Sequence, residues 1–192
     1  MTRLDLPDAD VEYLSAFLDA AAAATAFTAV QDEVPWEQHH VRLFGRDVPA
    51  PRLSCWIGDP GTAYTYSRVR FEPRPWPPSV ATLRDAIATR GGFAANSVLA
   101  NLYRDGRDAM GWHADAEPEL GAEPVIASLS LGAARRFRLR HRDRGLRHEL
   151  ELEPGSLLLM RGLTQANWQH ALPRVQAAGP RINLTFRRVL VD

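Results

Sequence analysis

Lysine is missing from this chain: all 23 of its basic residues are arginine. That is a compositional bias, so the number of arginines carries little weight and only their clustering informs. Cysteine is nearly missing too. The single one, Cys55, excludes an internal disulfide framework and fits a reducing compartment, so a cytoplasmic location is expected. No apolar run nears membrane-spanning length, because Ala20 to Ala24 and Leu157 to Met160 fall far short of the ~20 residues a span needs. The N-terminus, Met1-Thr-Arg-Leu-Asp-Leu-Pro-Asp8, has acids and a proline where a signal peptide needs a basic end and an apolar stretch. Net charge is absent as well, since 23 basic residues balance 23 acidic ones. No overall basic field marks the chain as a nucleic-acid binder.

What is present is a chain of 192 residues, 45% of them hydrophobic, enough for one domain with a real core. Its charge is unevenly spread. Ala134 to His148 holds seven arginines and two histidines against one acid. On a strand, Arg136, Arg138, Arg140 and Arg142 line one face, with Phe137, Leu139 and His141 on the other. This segment reads either as a phosphate-contacting hairpin or as an ordinary soluble hairpin tip.

The spacing predicts a helix over Asp8 to Ala24, with Val11, Leu14, Phe17 and Leu18 on one face and Asp8 or Asp10 as cap. Thr28 to Val30 and Gln38 to Phe44 read as β-like, with a hairpin tip at Phe44-Gly45-Arg46-Asp47. Strands are expected on either side of Gly58-Asp-Pro-Gly61, and an extended linker at Pro73 to Pro78. A second helix is expected over Ser79 to Thr89, capped by Ser79 and stopped by Gly91-Gly92, with Val80, Leu83 and Ile87 on one face. Beyond residue 95 short strands dominate, with turns at Asp105-Gly106, Pro154-Gly155 and Ala178-Gly-Pro180. That pattern points to a sandwich or barrel.

The chemistry gathers in Asn101-Leu-Tyr103, then His113-Ala-Asp115-Ala-Glu117, then His170, then Arg181-Ile-Asn183-Leu-Thr185-Phe-Arg187. Two histidines and a carboxylate in the order His-x-Asp…His are the ligand set of the 2-His-1-carboxylate facial triad, which holds non-haem Fe(II) and leaves positions open. His-x-Asp alone is weak, and a lone histidine such as His170 is more often a satisfied core residue. The last segment adds weight. On a strand Arg181, Asn183, Thr185 and Arg187 form a polar face opposite Ile182, Leu184 and Phe186, and arginines there can clamp a carboxylate by their fork geometry. The same pattern also fits a solvated edge strand with its apolar residues inward.

Together with Ala127-Ser-Leu-Ser-Leu-Gly132, Pro154-Gly-Ser-Leu-Leu-Leu-Met160 and His170-Ala-Leu-Pro173, these segments resemble the AlkB family of Fe(II)- and 2-oxoglutarate-dependent dioxygenases, which remove alkyl groups from nucleobases. The resemblance runs in order from about residue 40 to residue 189. The closing Arg-x-Asn-x-Thr-Phe-Arg is its most specific part. Leu43-Phe44-Gly45, Ile57-Gly-Asp-Pro-Gly61 and Tyr64-Thr-Tyr66-Ser67 are similar to the branch of the mammalian DNA-repair homologues.

The resemblance implies a mainly β protein with flanking helices: a jelly roll (double-stranded β-helix) over 95–192, fronted by helices and a nucleotide-recognition lid over 1–94. It implies Fe(II) on His113, Asp115 and His170, and 2-oxoglutarate paired through its distal carboxylate with Arg181. Asn101, Tyr103, Asn183, Thr185 and Arg187 would complete that pocket. Oxygen is the further co-substrate, and the partner is alkylated DNA, single- or double-stranded. Tyr64 and Tyr66 match aromatic lid positions, although plain strand-core packing also accounts for them, and Trp56 fits core or lid. Glu117 matches an acid that faces a cationic lesion such as 1-methyladenine or 3-methylcytosine. Phe44 would be a wedge filling the gap left by a flipped base. Arg138, Arg140 and Arg142 would contact phosphates.

One departure stands out. Among the proteins it resembles, the mammalian homologue that prefers double-stranded DNA has a short basic cluster just after the third ligand, whereas Arg174-Val-Gln-Ala-Ala-Gly-Pro180 has a single charge, so duplex preference does not simply carry over. A monomer is expected. The alternatives are the same chemistry on RNA, tRNA or a protein side chain, and a silent nucleic-acid-binding module.

Overall fold

A computed structural model describes residues 2–43, 46–66 and 69–190. In chain order the elements are β1 (Thr2–Arg3), β2 (Asp10–Leu14), α1 (Ala20–Glu33), β3 (His40–Leu43), β4 (Arg46–Pro49), β5 (Leu53–Gly58), β6 (Tyr64–Tyr66), β7 (Val69–Phe71) and α2 (Pro78–Gly91). There follow β8 (Ser97–Tyr103), β9 (Met110–His113), β10 (Ile126–Gly132), β11 (Arg135–His141), β12 (Arg147–Leu152), β13 (Leu157–Arg161), α3 (Thr164–Asn167), β14 (Trp168–Leu172) and β15 (Arg181–Arg187).

Two antiparallel sheets face each other as a jelly roll. The major sheet has seven strands in the order β1-β2-β13-β10-β15-β8-β5, and the minor sheet four, β12-β11-β14-β9. Strands β1, β2 and β5, all from residues 1–94, thus complete the major sheet. Two short hairpins, β3–β4 and β6–β7, stand apart from both sheets.

The major sheet is covered on both faces, which sorts its side chains. Val98, Ala100, Leu102, Ala127, Leu129, Leu131, Leu157, Leu159, Ile182, Leu184 and Phe186 pack in one core with Val30 of α1 and Val80, Leu83 and Ile87 of α2. The alternate residues point between the sheets, where Tyr103, Ile126, Leu158 and Met160 meet Phe137, Leu139, Leu152, Trp168 and Leu172. Each fully buried large apolar side chain here contributes roughly 1.5–3 kcal/mol. Polar residues that appear among the inward positions of a doubly covered sheet must therefore find partners or a function.

The structure corrects the N-terminal expectation. Asp10–Leu14 is a strand, not a helix, because Val11 pairs opposite Met160 and adds an edge to β13. The helix starts only after Asp19, whose side chain accepts from the Ala22 N–H at 2.8 Å. Thr28 to Val30 lies inside that helix. Thr25 and Thr28 turn their hydroxyls back onto the carbonyls of Ala21 and Ala24, which accommodates the β-branched residues there. Nor does Ser79 cap α2. Pro77 is the cap and Pro78 the first helical residue, while the Ser79 N–H donates to Glu33 Oε2 from the end of α1. The stop is as read, with Gly92 left-handed at φ +68°. Gly132 closes β10 at φ +80°, where a Cβ would lie 2.5 Å from the Pro180 carbonyl oxygen, so this turn requires glycine.

Candidate metal centre and anion pocket

His113 closes β9, Asp115 follows it, and His170 lies in β14 directly opposite His113 in the ladder. One potential ligand atom from each lies within 4.8 Å of the others, a spacing that suits one metal ion. His113 Nδ1 is 2.8 Å from the Gly111 carbonyl, so the ring donates there and keeps Nε2 as the acceptor for a metal. The rings of His113 and His170 sit edge to face at 4.2 Å, and Phe137 stacks on His170 at 5.3 Å.

Electrostatics prepare His170 and Asp115 as ligands. Burial, reinforced by His113, pushes His170 down to about 3, so its imidazole is neutral. Burial acts on Asp115 in the raising direction, but Arg187, His170 and His113 outweigh it and hold the carboxyl below its ordinary range. Arg187 donates to Asp115 Oδ1 at 2.6 Å, and the Asp115 N–H donates to Gln165 Oε1 at 2.9 Å. A neutral imidazole and an ionised carboxylate are the forms a divalent metal binds.

β15 supplies the rest. Arg181, Asn183, Thr185 and Arg187 all point into the same cavity, joined by Asn101 and Tyr103 from β8 and by Ser128 from β10. Arg181 is 1% exposed and donates through Nη2 to Ser130 Oγ at 2.9 Å. Its Nε and Nη1 are buried with no hydrogen-bond partner among the described residues. Burial pushes it down to about 10, which leaves it charged at neutral pH. A buried cation with two unanswered donors in the cavity of a His-Asp-His cluster fits a bound carboxylate. Asn183 donates to Ser128 Oγ at 2.8 Å and accepts from Thr185 at 2.9 Å, while Asn101 accepts from Arg52 Nε at 2.8 Å.

Residues 10–187 match the family described as the 2OG-Fe(II) oxygenase superfamily. Alpha-ketoglutarate-dependent dioxygenase alkB homolog 3 of Bos taurus is 42% identical over 187 residues, covering 92% of this chain and 65% of that protein. DNA oxidative demethylase ALKBH2 of Homo sapiens is 41% identical over 160 residues, covering 79% of this chain and 61% of the relative. The chain belongs to the AlkB family of that superfamily. The solved structure of OsALKBH1 superposes with a TM-score of 0.66 at 18% identity, over 97% of this chain and 100% of that one, a likeness of fold. The chain spans about 65% of the length of the curated relatives it matches first.

Within this AlkB-family fold the structure brings together His113, Asp115, His170, Asn101, Tyr103, Arg181, Asn183, Thr185 and Arg187 around one cavity. Glu117 stands outside that lining. It is half-buried, precedes a short 3-10 turn at Pro118–Leu120, and has Oε2 buried without a hydrogen-bond partner among the described residues. The arginine row divides. Arg136 and Arg138 turn to Glu149 at 3.5 and 2.7 Å, whereas Arg140 donates to Gln169 and Arg142 is exposed without an acid partner among the described residues. Phe44 lies outside the described residues, as do the side chains of Tyr64 and Tyr66. Trp56 is core, 3% exposed, with its indole N–H on the Thr62 carbonyl at 2.8 Å.

Sequence reasoning missed Ser128, Ser130, Arg52, Gln165 and Arg135. Ser128 and Ser130 had a signal, since Ala127-Ser-Leu-Ser-Leu places two hydroxyls on one face of an otherwise apolar strand. Arg135 had none. It is 2% exposed and donates to the carbonyls of Asp105, Asp108 and Pro173, tying together the loops beside the first and third ligands.

Proposed function

We propose that this protein removes alkyl groups oxidatively from ring nitrogens of DNA bases, of the 1-methyladenine and 3-methylcytosine type. The observation that carries the co-substrate half is Arg181, a buried guanidinium with two donors unanswered among the described residues, in the cavity of the triad. The substrate half is supported by relatives at 41–42% identity whose names state DNA oxidative demethylase. Glu117, two residues past Asp115, has a buried carboxylate oxygen with no hydrogen-bond partner among the described residues, which suits a cationic base.

His113, Asp115 and His170 would hold Fe(II), and Arg181 the distal carboxylate of 2-oxoglutarate. When bound, iron, 2-oxoglutarate and O2 supply an oxidation that hydroxylates the alkyl carbon and yields succinate and carbon dioxide, after which the hemiaminal loses an aldehyde. The chain's own task is placement. Arg187 keeps Asp115 ionised and oriented, Gln165 pins its backbone, and Gly111 fixes the His113 tautomer. Ser130 steadies the Arg181 fork, and Thr185, Asn183 and Ser128 form a hydrogen-bonded chain beside it. Phe137, Met110, Leu152 and Leu172 wall the cavity with apolar surface, which excludes water from the oxidation. A base in a duplex cannot reach this depth, so the substrate nucleotide is flipped out or comes from a single strand. A cytoplasmic monomer belongs to the same reading.

The test is succinate and formaldehyde release, with Fe(II) and 2-oxoglutarate, on methylated DNA, methylated RNA and a methylated peptide. DNA should turn over fastest, and Asp115→Ala should abolish release on every substrate. Faster turnover of RNA or peptide would reassign the substrate, and full activity of Asp115→Ala would overturn the metal site.

A further inference from the structure

Trp112 sits between Gly111 and the ligand His113, yet 37% of its surface is open to solvent. Among the large apolar side chains exposed in the described residues it alone is aromatic. The reason lies in the ladder. His113 pairs with His170 and Met110 with Leu172, so Gly111 and Trp112 together oppose the single residue Ala171. This is a bulge, and bulges beside active sites re-aim side chains. By simple alternation Met110 and His113 would face opposite ways. The bulge lets both line the cavity, while Trp112, exposed and under the Arg140 guanidinium, turns to the outer face of the minor sheet.

That outer face is cationic at this point. Arg140 reaches from β11 across β14, where Gln169 Oε1 accepts from its Nε at 3.0 Å and its Nη2 at 2.8 Å. Its guanidinium carbon lies 4.5 Å from the Trp112 ring centroid. Arg147 stands opposite Arg140 across the β11–β12 ladder, and Arg142 follows just beyond. None of the three has an acid partner among the described residues, in contrast to Arg136 and Arg138 at Glu149. A part-exposed indole with the Arg140 guanidinium over its ring, and Arg142 and Arg147 on the adjoining strand and turn, offers what a single-stranded nucleic acid needs: a surface for base stacking and cations that follow the backbone.

We propose that Trp112 is the stacking platform for the base adjoining the one that enters the cavity, on a single strand whose phosphates run past Arg140, Arg142 and Arg147. This rests on the nucleic-acid reading of the site given above. His113 faces the cavity and Trp112 faces outward only ~3.8 Å along the backbone, so a strand that delivers one base inward presents its neighbour to the indole. In a duplex that neighbour is paired and stacked within the helix. The platform therefore favours single-stranded substrate.

The full chain is titrated against a short fluorescent single strand carrying one 1-methyladenine, with its neighbours either intact or abasic, and against the same strand annealed. Trp112→Ala and Trp112→Leu should weaken single-strand binding roughly five- to hundredfold, and Trp112→Phe much less, because a phenyl ring keeps a stacking face. Abasic neighbours should weaken the wild type similarly and cost Trp112→Ala nothing more, while annealed substrate should show little difference between the proteins. Retention of a native circular-dichroism spectrum separates a missing stacking face from a failure to fold, and Trp112→Leu keeps apolar bulk if alanine unfolds the edge strand. Equal binding by wild type and Trp112→Leu, or an equal abasic penalty in both, overturns the platform. Trp112-dependent binding without dealkylation of any methylated base would instead overturn the dealkylase reading and leave the platform standing.

Discussion

Arg181 holds a positive charge at 1% exposure with one side-chain hydrogen bond and no carboxylate to pair with among the described residues. Such a group is costly to the empty fold and valuable once an anion arrives. Two effects of one substitution should therefore run in opposite directions. Arg181→Met should leave the protein without 2-oxoglutarate as stable as the wild type or more so. The same variant should raise the 2-oxoglutarate requirement about 150- to 5,000-fold, the equivalent of losing a buried charge-assisted pair worth roughly 3–5 kcal/mol. Thermal unfolding with and without 2-oxoglutarate checks both halves, since the co-substrate should raise the wild-type Tm and leave that of the variant unmoved. An equal ligand-induced rise in both proteins would place the carboxylate clamp elsewhere.

At the scale of elements, period-2 alternation on β8, β10 and β15 does most of the sorting, sending apolar residues to the helices and polar ones to the cavity. The helices serve as a cover for the sheet's other face. α1 buries only Ala23 and Val30 fully, so its stability leans on its ends as well as its packing. Asp19 is the side chain that secures its start. Asp19→Ala should cost about 1 kcal/mol in urea unfolding. It should leave turnover unchanged, because α1 lies on the face of the sheet away from the site. A loss of activity in step with the loss of stability would show that the helix reaches the site through the sheet.

For the whole molecule, zero net charge hides a local excess of arginine on one edge of the minor sheet. The pairing within it decides which arginines remain available. Arg138 is neutralised by Glu149 at 2.7 Å, whereas Arg142 and Arg147 have no acid partner among the described residues. Replacing Arg142 and Arg147 by glutamine should weaken binding of all single strands alike. It should also flatten the log–log salt dependence by about 0.7 for each phosphate no longer engaged. Arg138→Gln should change the slope little. Anisotropy titrations over a salt series distinguish these, and a steeper loss from Arg138 than from Arg142 would reverse the assignment.

The His-x-Asp pair and the polar face of β15 were legible because each rests on local spacing, whereas His170, far along the chain, and the ligand and clamp roles came only from the family resemblance. His113 and Asp115 are close in sequence, and Arg181 to Arg187 alternate on one strand, so no partner needs to be known to place them on a common face. The turns at Gly92 and Pro154-Gly155 were legible for the same local reason. The N-terminal strand was not. Asp10–Leu14 has a spacing that suits helix or strand, and only the open edge of β13 settles it. Likewise the outward turn of Trp112 follows from a slip of register against β14, and the partition of the arginines from where Glu149 falls on β12. A side chain's chemistry and its alternation belong to the sequence. Which partner it meets across a ladder depends on register, and register is fixed only when the strands pack.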